Sequence, residues 1–359
     1  MRFTVNRKEL QDTLAKMNPI ISKRSYLPIL QNVHVKVNNE NVEITATNLE
    51  QGIKIVLTGS DTEAGESTIQ FVNLFNITKA LSNDTISFET GELGKMMVTS
   101  KKSKYNLATM DPDDFPRIED EVAEVFLIDS EKFKDIINKV IFAASNDDSR
   151  FNLNSVYFSA YKEKSCVIAT DGHRLAFSPI DLPNLGIIVP KSGCLFILKL
   201  LGKGSVDLYK DSKTLYIRNG NMLITTRLIE GDYPDFTRVI PDINVTSTII
   251  VNNKELLSSI KRVSIMTSDR NKGATFTIKE NEGQLYVKNP DNGDAQDGFN
   301  VNQNGEDFEI IVNTSYLSEA LSHISTPDSR IEYFKEGSPI MFKPTDGGDY
   351  FSLVMPMRP

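Results

Sequence analysis

The stretch VNRKEL at residues 5–10 returns twice along the chain, as IDSEKF at residues 128–133 and as VNNKEL at residues 251–256. Each copy starts 123 residues after the previous one. Apolar residues then recur at i, i+4 and i+7, which is the spacing of one helix face, and a polar residue ahead of each run can cap the helix. The repeat therefore predicts three related segments that each begin with an amphipathic helix. The apolar positions are Leu10, Leu14 and Met17, then Phe133, Ile137 and Val140, then Leu256, Ile260 and Val263.

A second helix is predicted in each third, after FVN at 71–73, IVP at 188–190 and IVN at 311–313. The offsets between these three entries are 117 and 123 residues. Cys194 then falls where the other copies have Ile or Leu, so we expect it to be a small core residue instead of a reactive thiol. On this alignment the corresponding positions are Ile77, Cys194 and Leu317, then Leu81, Leu198 and Leu321.

Short runs of alternating apolar and polar residues surround the predicted helices and are separated by Asn, Gly and Asp turns. Clear examples lie at 33–37, 42–45, 273–279, 285–287 and 331–334. Each third therefore reads as an α+β domain with two helices and about eight short strands. A tandem triplication explains this order of elements best, and the predicted domains are 1–118, 126–244 and 245–359.

The composition excludes several classes of protein. The chain of 359 residues has only two cysteines and three scattered histidines, which rules out a disulfide framework and zinc-ligand spacing. We expect no metal and no cofactor. No signal peptide or apolar run of membrane-spanning length is present, so the sequence predicts a soluble, cytoplasmic protein without a membrane partner.

The segment from Ala169 to Leu175 contains Asp171 and His173, a carboxylate and an imidazole that could form a catalytic pair. No serine or cysteine has the sequence context of an activated nucleophile, and no second carboxylate has a defined spacing. A turn after a strand explains Asp-Gly more simply. We therefore predict no catalytic residue, and an enzyme that uses Asp171 and His173 is an alternative.

Charge is distributed unevenly between the helices and the rest of the chain. The protein has a net charge of −8, yet the six helical windows and the loop after the first helix carry +8, which leaves −16 elsewhere. If the helices share one surface, that surface is cationic while the strands and loops are anionic. The windows are 6–24, 72–82, 129–140, 190–204, 252–263 and 313–324.

Several separate motifs, in order along the whole chain, resemble the bacterial sliding clamps, the β subunits of DNA polymerase III. They are Met1 to Val5, Leu27 to Leu30, Asp114 to Pro116, Ala169 to Ala176, Tyr233 to Phe236, Arg238-Val239 and Val354 to Arg358. The resemblance implies three similar domains per chain in the DNA-clamp fold. It further implies a ring-shaped head-to-tail homodimer, in which two helices from each domain line the inside and antiparallel sheets lie outside.

The size of the domains agrees with a ring of six. A domain of about 120 residues has a diameter of roughly 35 Å, so six of them leave a hole of about 35 Å, whereas three leave only about 5 Å. Duplex DNA is roughly 20 Å wide and carries phosphates on both strands. The implied function is that of a processivity factor. It would slide on double-stranded DNA without reading sequence, and it would tether the replicative polymerase, the clamp loader and other proteins with a clamp-binding motif.

The resemblance also implies three sets of site residues. The DNA-facing positions are Arg24, Arg150, Phe151, Asn152 and Lys191, to which the helix charge adds Lys199, Lys203, Lys261 and Arg262. The dimer interface would use Tyr105 and Leu107 of one chain against Ile265 and Met266 of the other. The partner-peptide pocket would comprise Leu153, Thr170, Gly172, His173, Arg174, Leu175, Pro234, Arg238, Val239, Asn313, Tyr316, Leu353, Met355, Pro356, Met357 and Arg358. In that pocket Leu, Val and Met would form an apolar floor, and Arg174, Arg238 and His173 a polar rim.

The chain departs from the family pattern at a few positions. Asn73 and Ser192 stand where relatives often have a basic residue, which predicts a less cationic lining. Asn271, Pro339 and Pro359 also differ and leave the preferred peptide motif open. A monomeric protein-binding scaffold that never encircles DNA is the alternative function.

Overall fold

The structure is a computed structural model that describes residues 1–21, 26–91, 94–119, 124–268, 271–291 and 293–357. No helix in the described part of the chain is long and apolar enough to span a membrane. Over the same residues there are six α-helices. They are α1 (Arg7–Met17), α2 (Phe71–Ala80), α3 (Ser130–Ile141), α4 (Lys191–Leu200), α5 (Asn253–Val263) and α6 (Thr314–Ser322).

The described strands fall into three successive groups, one for each sequence repeat. The first group is β1 (Arg2–Asn6), β2 (Asn32–Asn38), β3 (Asn41–Thr47), β4 (Gln51–Thr58), β5 (Ser60–Glu63), β6 (Gly65–Gln70), β7 (Thr85–Thr90), β8 (Lys95–Ser100) and β9 (Ser103–Ala108). The second is β10 (Phe126–Asp129), β11 (Ser155–Tyr161), β12 (Lys164–Thr170), β13 (Arg174–Pro179), β14 (Ile187–Pro190), β15 (Ser205–Lys210), β16 (Thr214–Asn219) and β17 (Met222–Arg227). The third is β18 (Ser247–Asn252), β19 (Gly273–Lys279), β20 (Glu282–Asn289), β21 (Gly293–Asn300), β22 (Asn302–Gly305), β23 (Phe308–Asn313), β24 (Asp328–Tyr333), β25 (Ile340–Pro344) and β26 (Phe351–Val354).

The first helix of each repeat begins in the same way. The side chains of Asn6, Asp129 and Asn252, which are spaced 123 residues apart, accept hydrogen bonds from main-chain N–H groups in the first turns of α1, α3 and α5. These bonds satisfy donors that a helix N-terminus otherwise leaves without a partner. All nine apolar positions predicted from the repeat are at most 3% exposed. The three amphipathic helices are therefore confirmed.

The predicted alignment of the second helices is wrong in the first repeat. There β6 ends at Gln70 and α2 begins at Phe71, so the helix starts three residues earlier than the sequence pattern indicated. The offset from α2 to α4 is thus 120 residues, and Leu74, not Ile77, corresponds to Cys194 and Leu317. FVN resembles the strand ends of the other copies, but it already lies within the helix.

Burial follows the corrected register. Ile77, Leu81 and Leu198 are only half-buried, whereas Leu74 and Leu317 are fully buried. Cys194 is also fully buried, and burial raises the pKa of its thiol far above the ordinary value. The prediction that Cys194 is a core residue is therefore confirmed.

The chain divides into two compact units, one of Met1–Phe133 and Leu195–Leu228, the other of Lys134–Cys194 and Ile229–Pro359. The first unit contains an eight-stranded sheet in the order β10-β15-β16-β17-β4-β3-β2-β6 and a five-stranded sheet in the order β5-β1-β7-β8-β9. In the larger sheet β17 pairs antiparallel with β4, so strands of the first two repeats share one hydrogen-bonded ladder.

The second unit contains a nine-stranded sheet in the order β14-β11-β12-β13-β26-β25-β24-β18-β22 and a four-stranded sheet in the order β21-β20-β19-β23. Here β13 of the second repeat pairs antiparallel with β26, the last strand of the third. A buried cluster that includes Leu175, Phe177, Phe351 and Leu353 packs at this junction. The junction positions the turn before β13 beside the chain that leaves β26.

We predict that the helix caps contribute measurably to stability. Asn6→Ala removes the acceptor of two N–H groups of α1 and should lower the free energy of unfolding by about 1 kcal/mol, whereas Asn6→Asp should retain it. The matched control is Asn76→Ala on the exposed face of α2, which should change little. Urea denaturation measures all three variants, and an equal loss for Asn6→Ala and Asn76→Ala would contradict the role of the cap.

Candidate partner-binding cleft

A tight turn from Thr170 to Arg174 connects β12 to β13 and presents the residues of the conspicuous Asp-Gly-His segment. The Asp171 carboxylate accepts hydrogen bonds from the main-chain N–H of His173 at 2.9 Å and of Arg174 at 3.1 Å. Gly172 has a φ of 89°, a left-handed conformation that favours glycine. Thr170 donates its hydroxyl to the Arg174 carbonyl, which closes the turn. Sequence and hydrogen bonds together give this turn one defined shape.

The chain after β26 passes beside this turn and continues along another strand. The N–H of Met355 donates to the carbonyl of His173 at 2.9 Å, and the N–H of Met357 donates to the carbonyl of Ile311 in β23 at 2.7 Å. Met355 and Pro356 are half-buried and Met357 is exposed. The tail therefore lies directly against the turn, and the surface that the two segments border is the candidate partner-binding cleft.

Arg174 lies at the centre of the polar contacts beneath the cleft, where its side chain is 8% exposed. Its Nε donates to Asp171 at 3.0 Å, and its Nη1 donates to Glu319 on α6. The guanidinium also lies over the ring of Tyr316, with 4.4 Å from Cζ to the ring centroid. Two carboxylates and an aromatic face thus compensate one buried cation.

Burial and the charge of Arg174 shift the pKa values of titratable groups around its side chain. Burial lowers the pKa of His323, and the positive charge of Arg174 acts in the same direction. Burial also raises the pKa of Tyr316, to which the Asp171 carboxylate adds. His323 stacks on Phe142 with 4.2 Å between ring centroids. Both shifts favour the neutral forms of the aromatic groups beside the guanidinium.

The predicted pocket residues that the structure describes all belong to the second unit, and we group them by exposure into three layers. The buried layer is Thr170, Arg174, Leu175 and Leu353; the half-buried layer is Leu153, Val239, Asn313, Tyr316, Met355 and Pro356; and the exposed layer is Gly172, His173, Pro234, Arg238 and Met357. Leu175 faces Leu353 across the β13–β26 ladder, and Val239 packs against their cluster. An apolar floor below exposed polar groups can accommodate an apolar segment of another chain.

Two predicted details change. Arg174 was expected at the polar rim, but it is buried and bonded to Asp171 and Glu319, so it supports the cleft from below while His173 and Arg238 remain exposed. Asn313 acts locally as the N-cap of α6, where it accepts from the N–H groups of Ser315 and Tyr316. Arg358 lies outside the described residues.

Sequence reasoning missed three residues that hold the cleft in shape. The Tyr233 hydroxyl accepts a hydrogen bond from the N–H of Thr170 at 3.1 Å, and the Tyr233 ring stacks on Tyr157 at 4.7 Å. Burial raises the pKa of Tyr233. Glu319 bonds Arg174 from a different repeat. The Gly-Asp-Tyr-Pro motif marks Tyr233 in the sequence, whereas no spacing marks Glu319 because its partner is 145 residues away.

The geometry argues against a catalytic pair at this turn. Both Asp171 oxygens are engaged by the turn and by Arg174, and neither accepts from the His173 ring. The ring of His173 instead lies 6.4 Å from that of Tyr316. Among the described residues no group of three His, Cys, Asp or Glu side chains could hold a metal ion.

The DNA-facing candidates of the second unit are partly occupied by internal contacts. Lys191 Nζ donates to the Ala144 carbonyl at 3.0 Å and to Asn146 Oδ1 at 2.8 Å, and burial lowers its pKa, helped by the charge of Arg174. Arg150 is 3.7 Å from Asp147, and Arg262 pairs with Asp297. The Asn152 amide donates to the carbonyl of Asp232 at 2.9 Å.

Other DNA-facing candidates are open to solvent. The Phe151 ring is exposed. Lys199 and Lys203 in the first unit and Lys261 in the second are exposed and form no ion pair with any described residue. Arg24 lies outside the described residues. The candidates thus differ in how much of their charge is compensated.

The candidates for the dimer interface lie in both units, two residues in each. In the first unit Tyr105 and Leu107 are half-buried on β9, the edge strand of the five-stranded sheet. In the second unit Ile265 is 73% exposed and Met266 is half-buried, in a short helix after α5 that packs beside the edge strand β21.

Comparison with known proteins gives one consistent result. The family models for the N-terminal, central and C-terminal domains of the DNA polymerase III beta subunit match residues 1–119, 127–235 and 237–358. The chain is 28% identical over 368 aligned residues to a beta sliding clamp of Pseudomonas aeruginosa, with both chains covered completely.

Solved structures agree with the sequence comparison. The crystal structure of the DNA polymerase III subunit beta from Pseudomonas aeruginosa has a TM-score of 0.94 at 28% identity, and both chains are covered completely. A sliding clamp from Bartonella birtlesii bound to griselimycin has a TM-score of 0.91 at 27% identity, again over the whole of both chains.

Two arginines with the same local ion pair allow a matched test of the buried cluster. Arg174 and Arg238 each donate Nε to an aspartate three residues earlier at 3.0 Å, but their side chains are 8% and 83% exposed. Arg174→Met removes the partner of the largely buried Asp171 carboxylate and of the half-exposed Glu319, and it should lower the free energy of unfolding by about 3 kcal/mol. Arg238→Met should have no measurable effect. Urea denaturation tests both variants, and similar losses would contradict the supporting role of Arg174.

Proposed function

Because this chain belongs to the DNA polymerase III beta subunit family, we propose that it is the processivity clamp of a replicative DNA polymerase. Two copies form a closed ring around duplex DNA and hold the polymerase on its template. The observation that carries this proposal is the match of three consecutive clamp domains to nearly the whole chain. We retain 1–118, 126–244 and 245–359 as the proposed domain boundaries.

The dimer is proposed to close head to tail, through β9 and β21, two of the edge strands of the described sheets. An exposed edge strand readily pairs with another strand, and β9 and β21 are both edges within the described sheets. The β8–β9 hairpin carries Lys101, Lys102 and Lys104, whereas β21 carries Asp294 and Asp297. Asp297 already pairs with Arg262 of its own chain, so Asp294 supplies the acidic charge at this edge. Opposite charges favour β9 of one chain beside β21 of its partner and disfavour like edges together. Tyr105 and Leu107 would then meet Ile265 and Met266 of the partner chain.

We propose that the protein contacts DNA only weakly, because few of the candidate cations are unpaired. Lys199, Lys203 and Lys261 remain available for phosphates, while Arg150 and Arg262 already pair with aspartates. A few unpaired cations attract DNA without sequence readout, and the affinity falls as salt rises. A closed ring needs no tight contact, since topology prevents escape. We propose Phe151, Asn152 and Lys191, with Arg24, as further lining positions.

The cleft between the 170–174 turn and the C-terminal tail is the proposed docking site for the polymerase, the clamp loader and other proteins that carry a clamp-binding motif. The half-buried residues Leu153, Val239 and Met355 are apolar, and the polar residues His173 and Arg238 are exposed. The griselimycin-bound relative supports ligand binding by clamps of this fold. We propose that griselimycin also binds this chain at the cleft.

The two alternatives have less support. A monomeric scaffold offers no reason for oppositely charged sheet edges. A catalytic role for Asp171 has less support because both of its carboxylate oxygens already accept hydrogen bonds from the turn or from Arg174. The family is one of non-catalytic processivity factors, and for this chain we propose no reaction. The cytoplasmic location that we expect from the sequence is likewise part of the proposal.

Topological binding predicts a specific dependence on DNA ends. After loading onto a closed DNA circle, the protein should remain bound through gel filtration, and it should dissociate once a nuclease linearises the circle. Sedimentation should give twice the chain mass of 40.2 kDa, that is 80.4 kDa. Equal retention on circular and linear DNA, or a 40.2 kDa particle at micromolar concentration, would refute the ring.

The tail should be required for partner binding but not for assembly. Deletion of residues 355–359 removes the wall that hydrogen-bonds to His173 and Ile311. Binding of griselimycin, measured by calorimetry, should be lost, whereas the sedimenting mass of the dimer should remain. An unchanged griselimycin affinity would disprove the assignment of the cleft.

A further inference from the structure

The apolar face of β13 and β26 that forms the floor of the cleft extends beyond the cleft along both strands. Leu175 and Phe177 point to the same face of β13, as do Leu353 and Phe351 of β26, because side chains alternate along a strand. All four belong to one buried cluster, and two residues along a strand span about 7 Å. The apolar face of the sheet therefore continues beyond the floor of the cleft and lies beneath the protein surface next to the cleft.

A cavity of about 570 Å³ lies over this continuation. Its apolar walls include Phe177 and Phe351, stacked at 4.6 Å, together with Tyr161, Met341 and Ile240. Ile240 directly follows Val239 of the cleft, so one segment of chain borders both the cleft and the cavity. The volume is within the range of sites that bind part of a ligand or a few side chains.

The rim of the cavity is cationic in an acidic chain. Lys162, Lys164, Arg330 and Lys343 line it, against Glu332 and Asp349. The Glu332 side chain is 3% exposed, and its two carboxylate oxygens lie 2.8 Å from Arg330 Nη2 and 2.8 Å from Lys343 Nζ. These three residues together therefore have a net charge of +1.

Lys162 forms no ion pair with any described residue and supplies the second uncompensated charge. Lys164 pairs with Asp349 at 3.0 Å, whereas Lys162 Nζ lies 5.3 Å from the centroid of the Tyr161 ring. The cavity therefore combines an apolar interior with a net charge of +2 on its lining, while the whole chain carries −8. This combination is complementary to a large apolar side chain flanked by carboxylates.

We propose that this cavity is an extension of the partner-binding cleft, and that it binds an acidic peptide segment with an apolar anchor, adjacent to the segment that occupies the cleft. The inference rests on the proposed function, because it assumes that the cleft binds partner proteins. A partner with the acidic extension binds more tightly than one with the cleft segment alone. Single-stranded nucleic acid fits less well, since Phe177 and Phe351 stack on each other and are buried, and so offer no free face to a base.

Methyl NMR of the full-length protein tests the inference. The probes are the pentapeptide Asp-Phe-Asp-Leu-Asp, with both ends blocked, and the corresponding Lys-Phe-Lys-Leu-Lys. The acidic probe should shift the methyl signals of Ile240 and Met341 saturably, and the basic probe should not. Lys162→Glu should weaken binding of the acidic probe about fivefold, because it replaces attraction by repulsion at the rim. Lys279→Glu, an exposed lysine in β19 away from the cavity, is the charge-matched control and should leave the affinity unchanged.

The possible outcomes separate this inference from the proposed function. Griselimycin is titrated in the same sample as the probe of the cleft. If it binds but the acidic peptide does not move Ile240 and Met341, the extension is refuted and the cleft stands. Equal shifts with the basic peptide, equal effects of the two lysine variants, or shifts produced instead by an oligothymidylate also overturn the inference. If griselimycin fails while the acidic peptide binds at the cavity, the proposed cleft fails and the cavity is an independent peptide site.

Discussion

The antiparallel pairing of β13 with β26 is the constraint on which the proposed partner-binding cleft depends. It joins strands from the second and third repeats in one ladder, and it sets Leu175 opposite Leu353. The same register brings the Met355 N–H to the His173 carbonyl, so the tail lies directly against the turn beside the proposed cleft. A shift of one residue would turn every side chain of β26 to the other face and remove the floor.

Electrostatics then determine which surfaces can bind. Arg174 is compensated by Asp171, Glu319 and the Tyr316 ring, so it stiffens the base of the cleft instead of attracting ligands. Lys199, Lys203 and Lys261 carry exposed charges that no described carboxylate neutralises, which suits a loose grip on phosphates. The buried Arg174 thus maintains the shape of the site, while these three exposed lysines can attract a partner.

Most of the helices and strands could be predicted from the sequence, because they follow from local patterns of apolar and polar residues. The 123-residue repeat located α1, α3 and α5 with their caps Asn6, Asp129 and Asn252, and alternation located strands such as β19. The entry to α2 was misplaced by three residues, because FVN matches strand ends by type while Gln70 ends the strand. The role of Glu319 and the burial of Arg174 could not be predicted from the sequence, because both depend on a contact between residues 145 positions apart.

The central claim is that two chains enclose a channel wide enough for duplex DNA. Electron microscopy of single particles in solution addresses it most directly. The account predicts a closed ring of six similar modules, with helices facing a central hole of about 35 Å. A compact particle without a channel, or a ring in which the helices face outward, would contradict it.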